Sequence, residues 1–279
     1  MPQATYHFIR NATARLVYGG KTFLLDPMLS DIGAFRSFAG IAPNPTVALP
    51  IPAALVVADV DVVVVSHLHD DHFDEAAADL LDKSVTMLTP RNADTNASFK
   101  RRLQEKGFTN VSEIGSPDAD HITLDGITIH QVFALHGKGK VGDAMGDVNG
   151  LIFEAEGEPT IYWAGDTILD EAGEVEAVLK RFKPDVVIAH TGGPVIEALS
   201  PEVLLMDAAQ AVTFFGHAVR ENAEVQIIAI HMDALDHCFS TRADLVAAFG
   251  DQTVDLKKHV TIPKDGEVVT LNKGAVVQA

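Results

Sequence analysis

Four consecutive valines, Val62 to Val65, run straight into Ser66-His67-Leu68-His69-Asp70-Asp71-His72, and no other stretch restricts the fold so tightly. A continuous apolar run of strand length is the pattern of a strand buried on both faces. The residues after the valines are polar: three imidazoles and two carboxylates within seven positions. Polar groups brought against an interior need hydrogen-bond or metal partners. Imidazole nitrogen and carboxylate oxygen together form a ligand set for zinc and its first-row neighbours. In an extended segment the side chains of His67, His69 and Asp71 project to one side. A turn at Asp70 would instead direct Asp71 and His72 toward a second ion.

The surrounding pattern is a mixed α/β one. Apolar runs at Tyr6 to Ile9, Ala14 to Tyr18 and Thr22 to Leu25, with Gly19-Gly20 as a hairpin turn, predict an antiparallel start. Asp74 to Lys83 reads as a helix with acids first and a lysine last, so the histidine cluster lies on a strand-to-helix loop. Further strands are expected near Val85 to Leu88, Ile127 to Leu135, Leu151 to Glu154, Thr160 to Ala164, Val186 to Ala189, Val225 to Ile230 and Glu267 to Leu271. Helices are expected near Glu171 to Phe182, Pro201 to Phe215 and Arg242 to Phe249. Two sheets covered by helices account for this mixture better than a barrel. The stretch from Pro27 to Pro52, rich in Gly, Pro, Ser and Asn, is expected as a long loop beside the site.

Charge and composition narrow the function classes. Lys and Arg total 21 against 39 Asp and Glu, a formal charge of −18. That balance repels long nucleic acids and anionic membrane surfaces. The Lys100-Arg101-Arg102 triplet reads as the solvated face of a helix. MPQATYHFIRNATARL has no basic segment followed by an apolar one, and nowhere do about 18 apolar residues run together. Cys238 is the single cysteine and fits a reducing compartment. The expectation is one domain spanning residues 1–279, cytoplasmic, acting on a small molecule, with homo-oligomer formation compatible with the sequence.

The His67-x-His69-x-Asp71-His72 pattern resembles the signature of the metallo-β-lactamase superfamily, and the resemblance extends over essentially the whole chain. It implies an αββα sandwich of two mixed β-sheets flanked by helices. Later positions match as well: Asp26 in Leu24-Leu25-Asp26-Pro27, His136 in Ala134-Leu135-His136-Gly137, Asp166 in Gly165-Asp166-Thr167, and His231 after Val225 to Ile230. The resemblance implies two divalent ions, zinc first with manganese or iron as alternatives. His67, His69 and His136 would hold one ion, Asp71, His72 and His231 the other, and Asp166 would bridge them. Asp26 is implied as a support and not a ligand. Such paired ions share a hydroxide that serves as nucleophile.

Asp71, His190 and His237 are the candidates for direct roles in the chemistry; the two histidines lie just beyond apolar strands and could bind substrate or protonate a leaving group. His217 and His259 read as surface residues, and His7 and His121 carry no signal. The Leu-Leu-Asp-Pro opening, Asn44-Pro45, and His231-Met232 with His237-Cys238 resemble the ascorbate-6-phosphate lactonase-like branch of the superfamily. The implied reaction is metal-dependent hydrolysis of a small ester, lactone or phosphoester. A small-molecule phosphodiesterase of the same fold and a non-catalytic metal-binding protein are the alternatives. The walls that set specificity are expected in Phe35 to Pro50 and Gly137 to Gly150.

Overall fold

Side-chain alternation along the valine run explains its composition. Val62 and Val64 enter a core between two sheets, whereas Val63 and Val65 enter a second cluster on the outer face. A strand sandwiched in this way has no polar face, and each buried aliphatic side chain contributes roughly 1.5–3 kcal/mol.

The computed structural model describes residues 3–92, 98–251 and 255–274. The first sheet is built from β1 (Thr5–Arg10), β2 (Thr13–Tyr18), β3 (Lys21–Leu25), β4 (Val62–Val64), β5 (Thr86–Pro90) and β6 (Val111–Ile114). The second holds β7 (His121–Leu124), β8 (Ile127–Phe133), β9 (Asn149–Ala155), β10 (Ile161–Trp163), β11 (Val186–His190), β12 (Gln226–Ile230) and β13 (Val260–Thr261). The last strand, β14 (Val268–Thr270), returns to pair with β1. Among the described residues each sheet thus has seven strands, in the orders β14-β1-β2-β3-β4-β5-β6 and β13-β12-β11-β10-β9-β8-β7. Both are mixed: β3 to β6 run parallel beside an antiparallel meander, and β10 to β13 run parallel beside another.

The helices are α1 (Ala53–Val57), α2 (Glu75–Leu80), α3 (Phe99–Glu105), α4 (Lys140–Met145), α5 (Glu174–Phe182), α6 (Ala208–Glu221) and α7 (Arg242–Ala248). Ala77 and Ala78 of α2 and Leu103 of α3 pack on the outer face of the first sheet. Val175, Leu179, Phe214, Phe215 and Leu245 from α5, α6 and α7 cover the second. Phe8, Leu16, Phe23, Phe153, Trp163 and Ile188 join both sheets in the central core. The layers are therefore helix, sheet, sheet, helix, as expected.

Several boundaries differ from the sequence pattern. The spacing predicts a helix over Pro201 to Phe215, but α6 starts at Ala208 and runs to Glu221, because Asp207 caps it by accepting from Gln210 N at 2.9 Å. The preceding segment spends its backbone on neighbouring loops instead: Leu204 N donates to Pro194 O and Met206 N to Thr167 O, both at 2.9 Å. The helix expected from Asp74 to Lys83 stops at Leu80, with Asp74 as its cap. α1, α4, β6 and β7 have four to six residues each, too few to show a period. Lys100, Arg101 and Arg102 do lie on a helix, and Arg101 pairs with Glu105 at 2.9 Å. The segment from Pro27 to Pro52 contains no helix or strand beyond a Phe35–Asn44 bridge.

Candidate metal centre

Carboxyl ends of strands from both sheets meet at one rim. Asp26 follows β3, His67 follows β4, His136 follows β8, Asp166 follows β10, His190 ends β11 and His231 follows β12. Parallel strands joined by crossovers all present their carboxyl ends to the same side, which is where open α/β sheets bind ligands. Tight backbone turns aim the side chains. Gly165, at φ +67°, precedes Asp166, and a Cβ there would sit 3.0 Å from Asn149 O. His231 itself adopts φ +65°, a left-handed conformation rare for a residue with a side chain. Gly192 passes so close that a Cβ would lie 2.0 Å from His231 O.

Two groups of donor atoms result. In the first, His67, His69 and His136 converge, with His67 Nε2 2.9 Å from His69 Nδ1. In the second, His72 Nε2 lies 3.3 Å from His231 Nε2, and Asp71 Oδ2 lies 3.6 and 3.4 Å from these two nitrogens. Asp166 stands between the groups. Its Oδ2 is 3.1 Å from His72 Nε2, 3.5 Å from His136 Nε2 and 3.9 Å from His67 Nε2. One carboxylate oxygen thus faces ligand atoms of both groups.

Outer hydrogen bonds decide which ring nitrogen turns inward. His72 Nδ1 donates to Asp26 Oδ2 at 2.6 Å. Ser66 Oγ donates to Asp26 Oδ2 at 2.6 Å, so it accepts from His67 Nδ1 at 2.9 Å. His136 Nδ1 donates to the Leu204 carbonyl at 2.8 Å, and His231 Nδ1 faces Cys238 Sγ at 3.7 Å. His67, His72, His136 and His231 therefore turn Nε2, free of an outer partner, toward the centre, whereas His69 faces it with Nδ1. This donor chemistry fits divalent cations.

Electrostatics point the same way. Burial, and then the neighbouring His72 and His69, push His67 well below its usual value, and burial lowers His136 to about 4. His72 behaves oppositely: burial alone would lower it, but Asp166, Asp71 and Asp26 together raise it well above the usual histidine range. Burial alone would raise Asp71 and Asp166, yet His72 and His231 hold both well below the usual carboxylate range. The carboxylates stay ionised and draw positive charge to the middle of the site.

His190 and His237 part company here. His190 is fully buried behind Asp166: its Nδ1 donates to Asp166 Oδ1 at 2.6 Å, and its Nε2 accepts from Trp163 Nε1 at 3.0 Å. Both nitrogens are thus engaged, and His190 stands as the partner of Asp166, in a group with His72, Asp166 and His231 whose ligand atoms all lie within 4.8 Å of one another. His237 lines the cavity, and its buried Nδ1 has no hydrogen-bond partner among the described residues. Burial lowers it to about 4, so the ring is neutral at neutral pH.

The cavity, about 320 Å³, opens over the donor atoms. Phe38, Leu68, Met145, Pro194, Ile196 and Leu204 form apolar walls, and Arg36 stands at one side. Sequence reasoning missed Ser66, Trp163 and the Leu204 carbonyl as supports, because a side chain or carbonyl that only orients a ligand carries no motif of its own. Among the wall residues, Phe38 and Met145 fall in the two segments expected from the sequence, whereas Pro194 and Ile196 were missed for the same reason.

Residues 21–232 match the family model described as "Beta-lactamase superfamily domain". The "UPF0173 protein YddR" of Bacillus subtilis is 31% identical over 267 residues, covering 94% of this chain and 98% of that protein. A crystal structure described as a possible metal-dependent hydrolase from Veillonella parvula superposes with a TM-score of 0.85 at 32% identity, covering 96% of this chain and 100% of that one. An isothiocyanate hydrolase from Delia radicum gut bacteria superposes with a TM-score of 0.83 at 33% identity, covering 95% and 98%.

Proposed function

Because the chain belongs to the beta-lactamase superfamily and is a metal-dependent hydrolase of that fold, we propose that its substrate is a small, uncharged electrophile with an apolar tail, an isothiocyanate first and an ester or lactone second. The observation that carries this reading is the cavity: apolar walls above a floor of Asp70, Asp71 and Asp166, with Arg36 as the arginine lining it. An apolar tail gains by leaving water against such walls, whereas the substituents of a phosphodiester, beyond the part that bound ions would hold, would gain only Arg36 as a cationic wall residue. The likeness to the isothiocyanate hydrolase over nearly its whole length supports the choice of first substrate.

His67, His69 and His136 would hold one ion, Asp71, His72 and His231 the other, with Asp166 Oδ2 facing both, in a single unit of residues 1–279. A divalent metal supplies a nucleophile at neutral pH by lowering the pKa of water to about 7. The chain's own residues do the rest. Asp26, Ser66 and the Leu204 carbonyl hold the ring tautomers, and His190 holds Asp166. Leu68 and Met145 keep bulk water from the reacting carbon. The His237 ring, neutral at neutral pH and in the cavity wall, borders the substrate heteroatom. For an isothiocyanate, water adds across the carbon–nitrogen double bond to give a thiocarbamic acid, which breaks its carbon–nitrogen bond to release an amine and carbonyl sulfide.

The test compares metal-reconstituted and chelator-treated protein on phenethyl isothiocyanate, a phenyl ester, a lactone and a small phosphodiester. Metal-dependent consumption of the isothiocyanate is the expected result. Turnover of the ester or lactone alone shifts the assignment to the second substrate class. Preference for the phosphodiester sinks the apolar-tail reading, and no turnover of any member would leave a metal-binding protein without catalysis.

A further inference from the structure

One carboxylate far from the metal ligands in role gathers an unusual number of donors. Asp236 accepts from Phe38 N at 3.0 Å, Ile41 N at 3.2 Å, Ala42 N at 3.2 Å, and Asn44 Nδ2 at 2.8 Å. Ala39 N reaches both oxygens at 3.3 and 3.4 Å, and Ser37 Oγ donates as well. Asn44 closes the ring by accepting from Asp236 N at 2.9 Å. These donors lie in a segment without helix or strand, so its amides have no ladder to satisfy them. Hydrogen bonds to an ionised acceptor are roughly twice as strong as neutral ones. Consistent with that, Ser37, Asn44 and the loop amides outweigh the effect of burial and hold Asp236 below the usual carboxylate range.

The next residue in sequence is His237, in the cavity wall, and the loop that Asp236 gathers places the Phe38 ring edge-on to His237 with centroids 4.9 Å apart. Phe38 also rests on Phe35 at 5.6 Å, above Met28, Leu235 and Cys238. Phe38 is half-buried, so its place depends on the loop's backbone as well as on these contacts. We propose that Asp236 is a positioning residue: by binding the backbone of residues 37–44 it fixes Phe38 as the wall that selects the apolar tail of the substrate. This rests on the apolar-tail reading of the cavity. Phe38 contacts the tail, and Asp236 acts through it.

Asp236→Asn replaces one acceptor oxygen with a donor group. In the metal-loaded variant the amides of Phe38, Ala39, Ile41 and Ala42 should exchange with solvent roughly tenfold faster. KM for phenethyl isothiocyanate should rise about tenfold while kcat and the KM for methyl isothiocyanate hold. Phe38→Ala, which leaves the carboxylate and its bonds in place, should abolish the preference for the longer tail with amide protection unchanged. Unchanged exchange in Asp236→Asn, or an equal loss on both isothiocyanates in either variant, overturns the proposal. If the parent hydrolyses neither isothiocyanate, the substrate reading fails separately. The positioning role is then read from exchange and from the affinity ratio of benzohydroxamate to acetohydroxamate, which must collapse in both variants for the proposal to survive.

Discussion

His190 Nδ1 lies 2.6 Å from Asp166 Oδ1, on the side of the carboxylate opposite the donor atoms of His67 and His136. Because Trp163 Nε1 has only a proton to offer, His190 Nε2 must accept it, and Nδ1 must carry the ring's hydrogen toward Asp166. A carboxylate held on one oxygen presents the other in a defined direction. Partners of this kind typically change metal affinity about 10–100-fold.

His190→Gln is therefore expected to weaken metal binding by about tenfold while leaving the number of ions bound at saturation unchanged. Titration against a competing chelator, with metal content at saturation, checks both parts. A drop in the saturating ratio would instead make His190 a ligand.

Asp26 organises the opposite side. Its carboxylate takes Ser66 N at 2.7 Å, Ser66 Oγ at 2.6 Å and His72 Nδ1 at 2.6 Å, so one side chain orients two candidate ligands. Asp26→Asn removes the charge that fixes His72 and leaves a buried polar group poorly matched. The expected result is a loss of metal affinity of about 10–100-fold and of roughly 1–3 kcal/mol in stability. Parent-like chelator competition would contradict the supporting role.

Protonation should destabilise the metal-free protein over a defined window. His136 and His237 are lowered from 6.5 to about 4 by burial, so between those values the unfolded chain binds protons that the folded one refuses. Stability is then lost as pH falls from 6.5 to about 4. The carboxylates held low, Asp71 and Asp166, contribute stability that is lost only below the ordinary value of 3.8, outside that window. His72, raised by its carboxylates, contributes stability fully present below 6.5 and lost only as pH rises through its elevated value. Thermal midpoints of chelator-treated protein at pH values spanning the window should fall on acidification, and a flat profile would count against burial as the cause.

Phe153 joins the sheets, with its ring edge-on to Phe23 at 5.7 Å and to Tyr18 at 6.2 Å. Phe153→Ala leaves a void that these rings cannot fill. A cost of about 3–5 kcal/mol is expected in urea unfolding, without a change in metal stoichiometry. A cost below about 1 kcal/mol would mean that the inter-sheet core relaxes around the gap.

Local pattern was enough for much of this protein. The valine run and the polar residues after it specify a strand buried on both faces that ends at the site, because side-chain alternation and desolvation act over a few neighbouring residues. The resemblance carried by His67, His69, Asp71 and His72 extended that reading to Asp26, His136, Asp166 and His231, which the fold brings to one rim. What pattern could not separate were His190 and His237, both histidines just beyond apolar strands. Their difference arises from what packs against them: Trp163 and Asp166 occupy both nitrogens of one, while the other faces the cavity with a nitrogen unpaired. Asp236 was equally silent, since the amides it binds lie more than 190 positions earlier in the chain. Hydrogen bonds are satisfied in space and not along the sequence, so only the tertiary structure decided which polar residues hold the site and which face the substrate.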